Sequence, residues 1–324
     1  MQVNESQKFS FDAASAISCG ARDYQEDALV SEFSNGDDLG FVVLADGMGG
    51  HAAGDIASKI VVTRMFSELT FQRDAMLQGA SGICDTLRNA AKNANECIEN
   101  HARTNPDTKG MGSTLVSAVV TQGALHWISI GDSPLFLFRD GVLMQLNEDH
   151  SMSRQIDLMV QKGMLSEEEG EKHPDRNVLT SALFGAPIPQ MDCPAEPVRL
   201  QAGDTVLVAS DGLQFLDDDM IQTVLRDRPL SRSTEIADAL IAHLMMLNDP
   251  DLDNVTISVI QVKHARQEAA ALGAAPLLRP VPDPVLDPVE QAEPEAKPKK
   301  RGFFSGPAQL ASKGRGLFAG KARG

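Results

Sequence analysis

Four apolar runs in this chain end or begin on an aspartate, and this constrains the fold more than any other feature of the sequence. "GFVVLA" (40–45) runs into Asp46, "WISIG" (127–131) into Asp132 and "VLVAS" (206–210) into Asp211, while "VTISVI" (255–260) stands just after Asp253. Runs of this kind read as buried strands. Each strand delivers a carboxylate to its end. Gly47, Gly49 and Gly50 follow Asp46, and Gly212 follows Asp211. Glycine lets a backbone or a ligand approach closely. A single Asp-Gly is a common turn former. Four strand-end aspartates, with "QED" at 25–27, call for more than turns. Carboxylates brought together raise one another's pKa, and a cation between them keeps them ionised. Oxygen-only ligands select hard ions such as Mg²⁺ or Mn²⁺.

Further strand-like runs are "TLVSAVVT" (114–121), "PLFLFR" (134–139) and "VLMQL" (142–146). Some are separated only by turns, such as "QG" before Ala124 and "DG" after Arg139, which implies antiparallel pairing. Helical periodicity covers about 52–69, 75–103, 151–163, 217–228 and 232–247. Hairpins with long helices between them predict α+β layers rather than a parallel sheet.

The periodic signal ends near Lys263, and eight of the 17 prolines fall in the last 60 residues. The expected organisation is a folded domain over 1–264, a Pro-rich disordered linker over 265–296 and a basic disordered tail over 297–324. The net charge of −16 is uneven: residues 265–324 carry ten basic and six acidic side chains, so residues 1–264 carry −20. So acidic a domain is not expected to seek nucleic acid. The tail is basic enough to contact that domain, an anionic partner or a membrane surface. With 324 residues and 42% hydrophobic content, the chain has material for one large core or two small ones. No apolar stretch reaches 18 residues and no signal peptide is evident, so no transmembrane segment is expected. The four cysteines, Cys19, Cys84, Cys97 and Cys193, show no pairing pattern and read as reduced thiols in a cytoplasmic protein.

Seven segments occur in order: "ARDYQEDAL", "LADGMGGHAAGD", "GMGSTLVSAVV", "ISIGDSPLFLFRDG", "HPDRNVLTSALFG", "VLVASDGL" and "DNVTISVI". Over about residues 10–262 the set resembles the metal-dependent serine/threonine phosphatases of the protein phosphatase 2C (PPM) family, bacterial branch. The resemblance implies an α+β four-layer sandwich, two antiparallel sheets flanked by helices. It implies that Asp46 bridges two metal ions, with the Gly47 carbonyl on one of them. It implies Asp211 and Asp253 as further direct ligands and the Glu26–Asp27 pair as ligands of a metal or its waters. Asp132 matches a ligand of a third, looser ion, and Arg22 matches the arginine that grips the substrate phosphate. The implied cofactors are two Mn²⁺ or Mg²⁺ ions and a third. The implied activity is hydrolysis of phosphoserine and phosphothreonine on proteins by a metal-activated bridging water, opposing a serine/threonine kinase in signalling. The alternative is a weakly active or inactive phosphoprotein-binding module of the same fold.

Rival chemistries fit poorly. Two Cys-x₅-Arg spacings, "CIENHAR" (97–103) and "CPAEPVR" (193–199), lack a phosphate loop: the first lies in a helical pattern and the second carries two prolines and a glutamate. "DGMGGHAAGD" lacks the Gly-Lys-Ser/Thr of a nucleotide loop. Eukaryotic relatives place a histidine two positions after the bridging aspartate. Met48 stands there instead, and His51 reads as structural. Pro134 after Ser133, and Ser181 in "LTSAL", replace arginines common in the family. The segment 153–177 resembles the family's mobile flap.

Overall fold

The computed structural model describes residues 9–33, 39–50, 52–79, 82–228 and 231–264. His51, the linker and the basic tail lie outside the described residues. In chain order the elements are β1 (Phe9–Ser18), β2 (Asp27–Glu32), β3 (Leu39–Met48), α1 (Ala52–Phe71), α2 (Arg73–Gln78), α3 (Ile83–Thr104), β4 (Gly112–Ser113) and β5 (Leu115–Thr121). There follow β6 (Ala124–Ile130), β7 (Leu135–Arg139), β8 (Val142–Gln145), α4 (Ser153–Gln161), α5 (Glu167–Glu171), β9 (Val198–Arg199), β10 (Thr205–Ala209), α6 (Asp218–Arg226), α7 (Ser233–Leu247) and β11 (Val255–His264).

One sheet has the order β1-β11-β10-β7-β8 and the other β2-β3-β5-β6-β9, with β4 paired to β3. Every pairing is antiparallel. The alternation along β3 shows why the sheets stack. Val42 and Leu44 face the other sheet, among Val116, Trp127, Leu137, Val206 and Ile260. Phe41, Val43 and Ala45 point the other way, among Ala57, Val61, Met65 and Ile98 of α1 and α3. A strand covered on both faces must be apolar where it is covered, as β3 is from Leu39 to Ala45. In α3, Ile83, Leu87, Ala90, Ala91, Ala94 and Ile98 recur at helical spacing and are buried. On the other side, Ile221, Val224, Ile236, Leu240 and Leu244 of α6 and α7 pack on Leu207, Ala209, Ile257 and Val259. The result is the four-layer α-β-β-α sandwich that the hairpins and the resemblance imply.

Residues 75–103 are not one helix as the periodicity predicts. α2 ends at Gln78, Gly79 is extended, and Gly82 adopts φ 117° before α3 starts at Ile83. Glycine is a poor helix former and breaks the run there. β1 and β2 escape a hydrophobic pattern because most of their residues are only partly buried. The first and last strands pair along their whole length, from Phe9 opposite His264 to Ser18 opposite Val255.

Candidate active site at the strand ends

The sandwich brings the acid-bearing ends together. β2 and β3 pair so that Asp27 lies opposite Asp46. The Asp46 backbone is fixed on both sides: its N–H donates to Thr114 Oγ1 at 3.0 Å, and its carbonyl accepts from Ser113 Oγ at 3.0 Å and Thr114 N at 2.8 Å. Thr114 Oγ1 in turn lies 2.9 Å from Ser133 Oγ, beside Asp132. Gly47 N–H donates to the Glu26 carbonyl at 3.1 Å. A Cβ at Gly47 would run into the Gly54 carbonyl of α1, so only glycine lets strand, helix and the Glu26 segment close up here. The Glu26 carboxylate lies against Gly54 in the first turn of α1.

A second set of bonds ties in the two ends of the chain. Asn254 Oδ1 accepts from Glu26 N–H at 2.7 Å, and its Nδ2 donates to the carbonyls of Cys19 (3.0 Å) and Tyr24 (2.9 Å). One buried amide therefore clasps the whole segment that carries Arg22, Glu26 and Asp27 to the start of β11. Gly20, at φ 59°, passes so close that a Cβ would strike the Asp253 carbonyl. Ser210 Oγ donates to Asp27 Oδ2 at 2.8 Å and accepts from Thr256 N–H at 2.9 Å.

The electrostatics follow from this crowding. Burial, then Asp27, Asp211, Asp132 and Asp253, push Asp46 well above the ordinary carboxylate range. Burial, then Asp132, Asp253 and Asp27, push Asp211 up to about 8. Burial first, with Asp253 adding to it against the Ser210 bond, brings Asp27 to about 6. Burial and Asp149 bring Asp132 to about 6. Asp27 Oδ1 and Asp211 Oδ1 are buried with no hydrogen-bond partner, as is Asp149 Oδ1. Among the described residues no three acid, histidine or cysteine side chains converge on a single point in metal-binding geometry. The carboxylates are thus near enough to feel one another without meeting. Buried carboxylate oxygens without donors, in an all-oxygen set, fit hard divalent cations.

Arg22 stands at the rim, exposed, with Nη2 2.9 Å from Asp253 Oδ2. The structure thus pairs the expected phosphate-gripping arginine with an expected metal ligand. Sequence reasoning missed Asn254, Thr114, Ser210 and Asp149, whose roles depend on three-dimensional partners. Pro134 follows the Ser133 that braces Thr114, and its carbonyl accepts from Ala209 N–H at 3.1 Å. Ser181 is buried and closes a loop through Gln190, donating to its carbonyl at 2.7 Å and accepting its N–H at 3.1 Å.

A family model for protein phosphatase 2C matches residues 21–252. The chain belongs to the protein phosphatase 2C family. The serine/threonine phosphatase stp of Listeria monocytogenes is 34% identical over 231 residues, 71% of this chain and 87% of that protein. The crystal structure of the Mycobacterium tuberculosis serine/threonine phosphatase PstP/Ppp matches at a TM-score of 0.64 and 30% identity, covering 78% of this chain and 99% of that one. The catalytic domain of PstP in complex with two manganese ions matches at 0.62 and 29%, covering 79% and 100%.

Proposed function

We propose that this phosphatase hydrolyses phosphoserine and phosphothreonine on proteins with Mn²⁺ or Mg²⁺ held by Asp46, Asp211 and Asp253. The observation that carries the proposal is the set of buried, mutually repelling carboxylates, two of them with a partnerless oxygen. Its relatives' names as serine/threonine phosphatases, and the two manganese ions in the PstP complex, support the same reading. The Gly47 carbonyl, Glu26 and Asp27 complete the ligand set, and Asp132 serves a third ion. When bound, such ions acidify a water toward neutral pH and offset charge on the phosphoryl oxygens.

The chain's own residues do the rest. Thr114 and Ser113 hold the Asp46 backbone so that the carboxylate cannot drift from the repulsion around it. Ser210 fixes one oxygen of Asp27 and leaves the other free to ligate. Arg22, exposed and paired with Asp253, turns its fork of donors to the phosphate when substrate arrives. No protein nucleophile is required, because in-line attack by water needs positioning and charge stabilisation alone.

The catalytic unit in this reading is residues 1–264, with 265–296 as linker and 297–324 as basic tail. Four free cysteines agree with a cytoplasmic setting, opposite a serine/threonine kinase. Release of phosphate from a phosphothreonine peptide should require added Mn²⁺ and stop with excess chelator. Undiminished hydrolysis in chelator would overturn the proposal, and metal binding without turnover would identify a phosphoprotein-binding module instead.

A further inference from the structure

Among the described residues, the outer helical layer over β10 and β11 exposes its large apolar side chains at one end. α6 starts, and α7 finishes, at the end of the sandwich where Asp211 and Asp253 stand. There α7 ends in Met245, Met246 and Leu247, which are 49%, 80% and 46% exposed. Phe215, four residues past Asp211, and Met220 in the first turn of α6 are also exposed. Three consecutive large apolar residues left in solvent at a helix end are not explained by the core. The inward face of α7 is already filled by Ile236, Leu240 and Leu244.

This lip is continuous with the catalytic rim. Met245 Sδ accepts from Ser18 Oγ at 3.7 Å, at the end of β1. Four residues on, Arg22 pairs with Asp253, and between them Ala21 N–H donates to the Leu252 carbonyl at 2.8 Å. From the other direction, the chain leaves Met245 through Asn248, in the left-handed region at φ 48°, and reaches Asp253 within five residues. The lip and the Arg22 rim are thus joined by a few residues of chain at one end of the sandwich.

We propose that Met245, Met246 and Leu247, with Phe215 and Met220 exposed at the same end of the layer, form a docking lip for apolar side chains flanking the phosphorylated residue of a protein substrate. The proposal rests on the phosphatase reading of the site and names the substrate feature it selects. Apolar burial is nondirectional, and the methionine thioether is flexible and polarisable. The lip thus favours an apolar neighbour without fixing one sequence. An apolar patch rimmed by polar residues is a usual sign of a protein-binding surface. The adjoining Asp249 and Asp251 make a basic residue beside the apolar one favourable.

The experiment uses the full chain with Mn²⁺ and three substrates: p-nitrophenyl phosphate, a phosphothreonine peptide with leucine and phenylalanine flanking the phosphate, and the same peptide with serines there. Met245→Ser/Met246→Ser should raise KM for the apolar peptide by about fivefold or more. Its kcat, and both constants for p-nitrophenyl phosphate, should stay unchanged, and the serine peptide should show little difference between the two proteins. Leu247→Ser should act in the same direction. An unchanged KM for the apolar peptide, or an equal rise for both peptides, overturns the lip. Fluorescence anisotropy with the same labelled peptides supplies an arm independent of turnover. If wild-type protein hydrolyses none of the three substrates, the catalytic reading fails, and the lip stands or falls on whether the double variant weakens binding of the apolar peptide alone.

Discussion

Strand β10 is five residues long and has an aspartate at either end, Asp204 before it and Asp211 after it. Asp204 is 2% exposed and fully provided for. Arg139 grips it with two bonds, at 2.8 and 2.6 Å, and Gln201 N–H adds a third at 2.7 Å. At the same end Lys263 lies 2.6 Å from Asp12, which also accepts from Ser233. Asp211 has a buried oxygen with no partner, and burial and three other aspartates push it up to about 8. The cost of a buried charge is met by the chain at one end of the strand and met only in part at the other, where the Gly212 backbone is the one donor set against burial and three aspartates. A fold that brings Arg139 and Lys263 from distant parts of the chain onto Asp204 and Asp12 supplies no such cation to Asp211 among the described residues. The unpartnered oxygen is the feature on which the proposed role of Asp211 in holding a cation rests.

Neutralising Asp211 removes the unpaired charge itself. Asp211→Asn should lower kcat by roughly 10³-fold or more, since several kcal/mol of transition-state stabilisation depend on the bound ions. It should also raise the unfolding midpoint of metal-free protein, because one buried, repelled charge is gone. Phosphate release and differential scanning fluorimetry test the two halves, and a metal-free midpoint that falls would mean Asp211 is satisfied like Asp204. Next comes the clasp. Asn254→Ala frees the Arg22–Asp27 segment from β11 and should weaken Mn²⁺ binding by about 10- to 100-fold, the usual scale for residues that orient ligands. Titration calorimetry measures this directly, and unaltered affinity would show that strand pairing alone places Glu26 and Asp27.

At the satisfied end, Arg139→Met strands Asp204 without its cation. The expected loss is about 2 kcal/mol in urea unfolding, below the range for a fully buried pair because Arg139 is partly exposed. Turnover per folded molecule should not change. A drop in turnover would mean that the two ends are not independent. The smallest effect concerns His126 on β6, buried with neither ring nitrogen hydrogen-bonded. Burial, and then Arg199, lower its pKa from the ordinary 6.5. The unfolded chain therefore binds a proton more readily. Stability is complete above about pH 6.5 and falls as pH drops toward the folded value. His126→Leu should flatten that limb, read from unfolding curves between pH 5 and 7.

The comparison also shows what the sequence made legible. Asp46, Asp132, Asp211 and Asp253 stood out because each interrupts an apolar run, and the two-sheet architecture followed from the turns between runs. Asp204 also adjoins such a run and passed unremarked, since nothing local separates a paired acid from an unpaired one. Only the sandwich brings Arg139, 65 positions away in sequence, onto it. Asn254 was visible only as part of a motif, because its three acceptors and donors are backbone atoms more than 200 positions upstream. β1 was missed because an edge strand half-covered on both sides carries no clean period. The helix break at Gly79–Gly82 was written in the sequence and was outweighed by the periodicity on either side.

The pairing of β1 with β11 has a consequence for the order of events during synthesis. Arg22, Glu26 and Asp27 leave the ribosome long before the strand that holds them. They wait for more than two hundred residues before Asn254 and β11 arrive to hold them. Contacts of such long sequence separation form late, after nearer pairings are in place. A nascent chain would carry most of its core and several of its aspartates while remaining unable to act on any phosphoprotein. The enzyme would switch on only as residues 253–264 emerge, so a truncated or stalled product releases no premature phosphatase activity into the cell.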